Sequence, residues 1–576
     1  MKIERRQLIE DSHLPLIDRL YQSRGVTLEE AQTDLASLLP YHLMMNIDKA
    51  SERLVIAVTC QQRMLIIGDF DADGATASAL AVSALRVMGA QHVDFLVPNR
   101  FSFGYGLTVG IVEQAFLLKP DLIITVDNGI SNIDGVEKAK SLGMDVLITD
   151  HHLAGAVLPE ADVIINPNQP HDTFPSKAIA GVGVVFYVMS ALRRALEAQG
   201  WFAQIGRAVP NMAQFLDLVA LGTVADVVPL DRNNRIMVKH GLMRIQKGLA
   251  RPGIEALIHV SGRIRQQLKA SDLGFALAPR LNAAGRLDDM ALGIHCLLSD
   301  SIEQAKPMAS QLDQLNVERR QIEAEMQEQA LQHLQQAFGA VGMNTSAICL
   351  YHETWHQGVI GILAGRLKDK FKKPTIIFAN GDKGELKGSA RSVQGIHIRD
   401  ILAAIDSHHP ELIIKFGGHA MAAGLAIARE DYQKFTQIFD NQIEFLNYEP
   451  QTSVWTDGEL DIDDLNMNTA DLIQQAGPWG QMFPEPCFDN VFKIIEQRIV
   501  GQKHLKLLLQ MMGGQQMIDA IAFNIDTEVW PQHRAQYVRM VYQLDINEYQ
   551  GRRRLQLMVQ CLEAVDAPEI SEPSYV

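Results

Sequence analysis

The chain has 576 residues, 47% of them hydrophobic and 21% charged, and a formal charge of −16. That composition excludes a disordered or fibrous protein and leaves room for roughly three or four domains. Five widely spaced cysteines without a CxxC pair speak against a zinc ribbon or disulfide scaffold and fit a reducing cytoplasm.

"MKIERRQLIEDS" lacks the apolar core of a signal peptide, and no apolar run approaches the ~18 residues of a membrane span. The expected location is cytoplasmic, with no membrane partner. The acidic balance weighs against a nucleic-acid partner, yet local clusters set the field in a groove. Basic residues gather at Arg263, Arg265 and Lys269, at Lys368, Lys370, Lys372 and Lys373, and at Arg552, Arg553 and Arg554. Taken singly, each cluster reads as a solvated face.

In chain order, residues 1–50 are expected to form an N-terminal helical segment. From Met64, the apolar runs "MLIIG", "VDFLV", "LIITV", "VLIT" and "VIIN" alternate with helix-like segments such as "ATASALAVSALRVMG". This alternation predicts an α/β domain over 51–300 with a doubly wound parallel sheet; "GVGVVFYVMSAL" from Gly181 reads as its core helix. A polar stretch, Ile302 to Phe338, predicts a long connecting helix (301–338), with Leu312, Leu315, Ile322 and Met326 as its apolar stripe. A second α/β domain is expected over 339–447, from "AICLY" and "PTIIFA", with glycine-rich loops at "GSARS" and "FGGHAMAAG". "LNYEPQTS" reads as a boundary. Beyond it, strand-like runs without intervening helices predict a small OB-like β-barrel over 450–576.

Each run of the first domain ends in polar residues: Asp69, then Pro98-Asn99-Arg100, Asp127-Asn128-Gly129 and Asp150-His151-His152. In doubly wound sheets, sites lie at the carboxyl ends of the strands, so these groups should share one crevice. Three carboxylates as close as Asp69, Asp71 and Asp73 repel one another unless a cation sits between them. The D-x-D-x-D-G spacing matches the start of an EF-hand loop. That loop needs a Glu at its twelfth position, where Leu80 stands, and a preceding helix, where the sequence has a strand-like run. The other reading is a divalent-metal centre for chemistry. In extended backbone the three aspartates would face one side. With Asp127 and imidazole from the neighbouring strand ends they suit Mn²⁺ or Mg²⁺, and sometimes Zn²⁺, and Asp127 could bridge two ions for phosphoryl transfer to water.

"GDFDADGATA", "VDNGIS", "TDHH" and "ALGTVADVVPL" resemble the four motifs of the DHH phosphoesterase superfamily. The resemblance implies metal ligands at Asp71, Asp73, Asp127, His151 and Asp226 and two Mn²⁺ or Mg²⁺ ions. Asp69 and His152 complete the catalytic motifs, His152 as a group that orients or protonates the phosphate. "GSARS" and "FGGHAMAAG" resemble the DHH-associated substrate domain. "PNRFSFGYGL", "APRLNAAGRLDD", "LNVERRQIEAEM", "WHQGVIGILAGRL" and "GPWGQMFPEP", in this domain order, resemble the bacterial single-strand-specific 5′→3′ exonucleases of the superfamily. Phe103 departs from the pattern, which often has an acidic residue just before "GYGL".

That resemblance implies single-stranded DNA as substrate, with single-strand-binding protein and a RecQ-type helicase as partners in repair and recombination. Arg100, Arg280, Ser389, Arg391 and His419 would hold the terminal 5′-phosphate, with Gly388 and Gly418 letting backbone approach the strand. On the barrel, Lys503, Lys506, Arg552, Arg553, Arg554 and Tyr549 would contact it. Two rivals are a small-substrate phosphoesterase, disfavoured by the extra barrel, and a non-catalytic scaffold, disfavoured by the intact acidic set.

Overall fold

The computed structural model describes residues 2–6, 14–100, 103–338, 345–381, 384–448, 453–549 and 551–567. They form two units: Met1–Ala278 with Ile294–Ala305 and Ser453–Val576, and Pro279–Gly293 with Lys306–Thr452. Among the described residues, no helix is long and apolar enough to cross a membrane.

In the first unit, strands Met64–Ile67, Val93–Leu96, Leu122–Val126, Asp145–Thr149 and Val163–Ile165 form an all-parallel sheet. Its spatial order is Val93, Met64, Leu122, Asp145, Val163. "MLII" and "LIITV" are buried throughout because helices cover both faces, so they read as continuous apolar runs. Leu65, Ile67, Ile123, Val146 and Ile148 pack with Ile111, Val112, Val136 and Ala139 of helices Val109–Leu117 and Ile133–Ser141. Alternate residues such as Ile66 and Ile124 face the opposite side, where helices Ala72–Val87 and Gly181–Ala198 meet the strands. Strand order reverses beside Met64–Ile67, so its crevice with Leu122–Val126 is the switch point.

One local expectation fails here and another holds only in part. "DADG" is not extended: Asp71 caps the helix Ala72–Val87, its carboxylate accepting from Gly74 N at 2.9 Å, which puts Asp73 in the first turn. The first fifty residues carry the expected helices at Leu16–Gln22 and Leu28–Ala31, but they open on the strand Lys2–Arg5, paired in parallel with Ser453–Thr456. Arg5 is committed to Asp489 (2.7 Å), and Arg6 and Arg24 to Asp457 (3.3 and 2.8 Å), which ties this arm to the C-terminal module.

That module contains a closed barrel of Phe488–Val500, His504–Met511, Met517–Ala522, Tyr537–Tyr549 and Arg552–Val565. Leu505, Leu507 and Leu509 alternate inward. A helix that the strand pattern did not reveal, Met467–Ala476, precedes it. The Tyr549 side chain lies outside the described residues.

The long helix runs Ile302–Phe338, with Leu312 and Met326 buried. The second unit holds a mixed sheet ordered Lys415–Gly418, Ala422–Ala428, Glu385–Arg391, Thr375–Asn380, Ile348–Tyr351. "GSARS" and "FGGHAMAAG", expected as loops, lie mostly in strands of this sheet. Gly388 and Gly418 fit packing inside the chain, not approach of a ligand. A Cβ on Gly388 would fall 2.5 Å from the Phe378 ring, and one on Gly418 2.4 Å from Ala422 O.

Candidate metal and active site

Three strand ends and one helix end of the first unit deliver the site. Met64–Ile67 runs into Asp69 and the capped helix, whose first turn closes onto the strand end because Gly74 has no Cβ; one there would lie 2.7 Å from Asp69 backbone. Asp73 is fixed by the N-terminus of Gly181–Ala198: its carboxylate accepts from Gly181 N at 2.7 Å and Val182 N at 3.0 Å. Such a terminus carries free N–H groups and partial positive charge, which favour a carboxylate. Asp127 follows Leu122–Val126 in left-handed backbone, φ +64°. His151 follows Asp145–Thr149, and Asp226 closes the helix Leu216–Ala225.

These side chains meet. His151 Nε2 lies 3.1 Å from Asp127 Oδ1 and 3.5 Å from Asp226 Oδ2. Three sets of potential ligand atoms each fall within 4.8 Å: Asp69, Asp71 and Asp127; Asp127, His151 and His152; Asp73, His151 and Asp226. Asp127 and His151 each belong to two of them.

Like charges in a dry place make the carboxylates reluctant to ionise. Burial, then Asp71, holds Asp69 well above the usual carboxylate range; burial, then Asp73 and Asp71, does the same to Asp127 and Asp226. Burial and Asp71 push Asp73 up to about 7. Asp69 Oδ1 is buried without a hydrogen-bond donor, and Asp127 Oδ1 faces the His151 ring nitrogen at 3.1 Å. Oxygen-rich donors with one or two imidazoles and stranded acceptors fit Mn²⁺ or Mg²⁺.

Asp150 was legible only as part of a motif; the structure gives it a task. It accepts from Ile130 N (2.9 Å), His151 N (2.7 Å) and His152 N (3.1 Å), and its Oδ1 lies 2.8 Å from His152 Nδ1. Burial works against the charged imidazole, but this bond prevails and raises His152 to about 9. Tyr105 was missed altogether. Its hydroxyl donates to Asp127 O at 3.1 Å and lies 3.3 Å from His152 Nδ1. The available signal was its place in "GYGL", on the loop after a strand end. Arg100 lies 4.1 Å over the Phe70 ring; burial lowers its basicity, and Asp69 and Asp71 oppose that.

In the second unit, Ser389 and Arg391 share one face of a strand, Arg391 Nη1 donating to Ser389 Oγ at 3.2 Å. Both lie near the start of Ile360–Phe371, within about 3 Å of where a Gly361 Cβ would sit. His419 turns the adjoining hairpin, its N–H donating to Ala422 O at 2.8 Å. Arg280 pairs with Asp313 at 2.8 Å.

Models of three domain families match in order: the DHH family, N-terminal domain, at residues 63–223; the DHHA1 domain at 344–444; and the RecJ OB domain at 456–561. The chain is 51% identical to the single-stranded-DNA-specific exonuclease RecJ of Dickeya dadantii, over 96% of each chain. It is 49% identical to that of Escherichia coli, over 97% of this chain and 98% of the relative. The crystal structure of RecJ in complex with Mn²⁺ from Thermus thermophilus superposes with a TM-score of 0.79 at 26% identity, covering 98% of this chain and 79% of that one. Shared order, length and identity carry one conclusion: the chain belongs to the RecJ family of single-stranded-DNA-specific exonucleases.

Proposed function

We propose that the chain is a divalent-metal-dependent exonuclease that degrades single-stranded DNA from its 5′ end to 5′-mononucleotides in DNA repair and recombination. One observation carries the chemistry: carboxylates and imidazoles gathered at a sheet switch point, Asp69, Asp73 and Asp127 buried among them and Asp69 Oδ1 left without a donor.

Asp71, Asp73, Asp127, His151 and Asp226 would hold two Mn²⁺ or Mg²⁺ ions. Bound there, such ions supply Lewis acidity toward a phosphodiester and lower the pKa of water. Asp73 is held in place by two backbone N–H groups. Asp150 keeps His152 oriented, so that its other nitrogen can meet or protonate a phosphate oxygen. Asp69 completes the acidic wall. Arg100, Arg280, Ser389, Arg391 and His419 hold the 5′-phosphate through guanidinium forks, hydroxyl and imidazole. The barrel supplies the track for the strand, with Lys503, Lys506 and Arg552–Arg554 as its cations. Single-strand-binding protein and a RecQ-type helicase are the partners this activity calls for, in the cytoplasm.

Digestion of end-labelled single-stranded and duplex DNA tests the reading. Loss from the 5′ end of single strands only, abolished by EDTA, is the expected result. Loss from the 3′ end, equal attack on duplex, or activity in EDTA would overturn it.

A further inference from the structure

Asp226 ends its helix, and the next residue is held awkwardly. Val227 is β-branched, 62% exposed and at φ +60°. Such a side chain resists left-handed backbone, which persists only where the surroundings fix the chain on both sides. Upstream the helix does so, Asp226 N donating to Gly222 O at 2.9 Å.

Downstream, the anchor comes from the C-terminal module. Leu230 N donates to Gln481 O at 2.9 Å, and a Cβ on Gly480 would lie 2.7 Å from Leu230 Cδ1. Phe483 seats that loop. It is buried, stacks 4.9 Å from Trp479, and lies 4.4 Å beneath the Arg235 guanidinium, which donates to Leu230 O at 3.1 Å. Asn234 extends the contact toward the metal set: its amide donates to Pro229 O and Ala178 O, both at 2.9 Å. Ala178 leads into Gly181, whose N–H holds Asp73.

We propose that Gly480–Phe483 of the C-terminal module is a positioning element for Asp226, holding the turn Val227–Leu230 in its strained form so that the carboxylate stays with Asp73 and His151. The barrel's module thereby serves the metal centre as well as the strand. This rests on Asp226 being a metal ligand, as proposed above.

Mn²⁺ titration of the full chain, followed by electron paramagnetic resonance, tests it. Phe483→Ala should raise the apparent Kd for Mn²⁺ about ten-fold, as loss of outer support for a ligand does, with circular dichroism unchanged. Gly480→Val, which crowds Leu230, should do the same and keeps the test open if Phe483→Ala fails to fold. Adding Val227→Gly should restore most of the affinity, because glycine adopts φ +60° without steric cost. Wild-type affinity in folded Phe483→Ala and Gly480→Val proteins would overturn the proposal. So would a loss that Val227→Gly does not recover, since the loop would then support the domain in general. Asp226→Asn separates the two readings. If it leaves Mn²⁺ affinity unchanged, the ligand assignment itself falls; if it weakens binding and the loop variants do not, only the positioning role falls.

Discussion

Two pairs of buried aspartates in the first unit have opposite fates. Asp457 and Asp489 are enclosed by arginines: Arg24 grips Asp457 with both terminal nitrogens, at 2.8 and 2.9 Å, and Arg5 reaches Asp489 at 2.7 Å. Thr456 Oγ1 donates to Asp489 at 2.6 Å. Asp69 and Asp127 are as deeply buried, but among the described residues no arginine or lysine closes on them: both face other carboxylates, Asp69 keeps an oxygen without a donor, and Asp127 meets the His151 ring at 3.1 Å. The first pair is neutralised by its own chain and holds the N-terminal arm to the barrel. The second, on the function proposed above, is compensated by a cation from outside. Burial alone therefore says little about role; what distinguishes the pairs is where the compensating charge comes from.

Substitution should expose the contrast. Asp127→Ala should lower turnover at saturating Mn²⁺ by at least about a hundred-fold, several kcal/mol of transition-state stabilisation. In metal-free buffer the same change should raise Tm, since it removes a repelled charge. Retention of more than about a tenth of wild-type turnover would break the two-ion assignment. Asp457→Ala should do the opposite to stability, costing about 3–5 kcal/mol in denaturant unfolding because Arg24 is left buried and unpaired. A cost below about 1 kcal/mol would place that pair among ordinary surface bridges.

The same logic applies to the arginines of the second unit. Arg391→Ala should slow cleavage of 5′-phosphorylated strands about ten- to a hundred-fold more than that of 5′-hydroxyl strands. Arg280→Ala should show a smaller preference, because Arg280 must exchange Asp313 for the phosphate. Equal losses on both substrates would make these arginines structural.

The smallest effects are in pH, with opposite signs. Asp489 is held below the usual range: burial opposes ionisation, but the bonds from Arg5 and Thr456 prevail. A depressed folded-state pKa gives stability above the unfolded value that is lost as pH falls through the folded one. The penalty of Asp489→Asn should therefore shrink below about pH 4. Asp73 is raised, to about 7. Its contribution is present in acid and is lost as pH rises from the ordinary carboxylate value toward that point. Metal-free Asp73→Asn should thus gain on the wild type by about 2 °C or more in Tm between about pH 5 and about pH 8. A constant gap would mean Asp73 is not strained by its neighbours.

Much of this was legible in the sequence where a pattern is local. Apolar runs marked the parallel strands, their polar ends marked the site, and the polar helix runs Ile302–Phe338 as its composition implied. What escaped depends on partners distant in the chain. Lys2–Arg5 is a strand only because Ser453–Thr456 lies beside it. Gly388 resembles a loop glycine until the Phe378 ring fills its missing Cβ. "DADG" misleads for a local reason: alternation competes with a capping signal, an Asp three residues before Gly74. Asp150 and Tyr105 act through atoms that no spacing rule connects to them.

The central claim, that the acidic cluster is a receptor for two cations, is tested most directly by Mn²⁺ stoichiometry. Titration of the metal-free full chain, read by calorimetry and by electron paramagnetic resonance, should give two ions per chain with a spin-coupled signal, and Asp127→Ala should lose the coupling. One ion per chain, or two uncoupled ions unaffected by Asp127→Ala, would contradict the account.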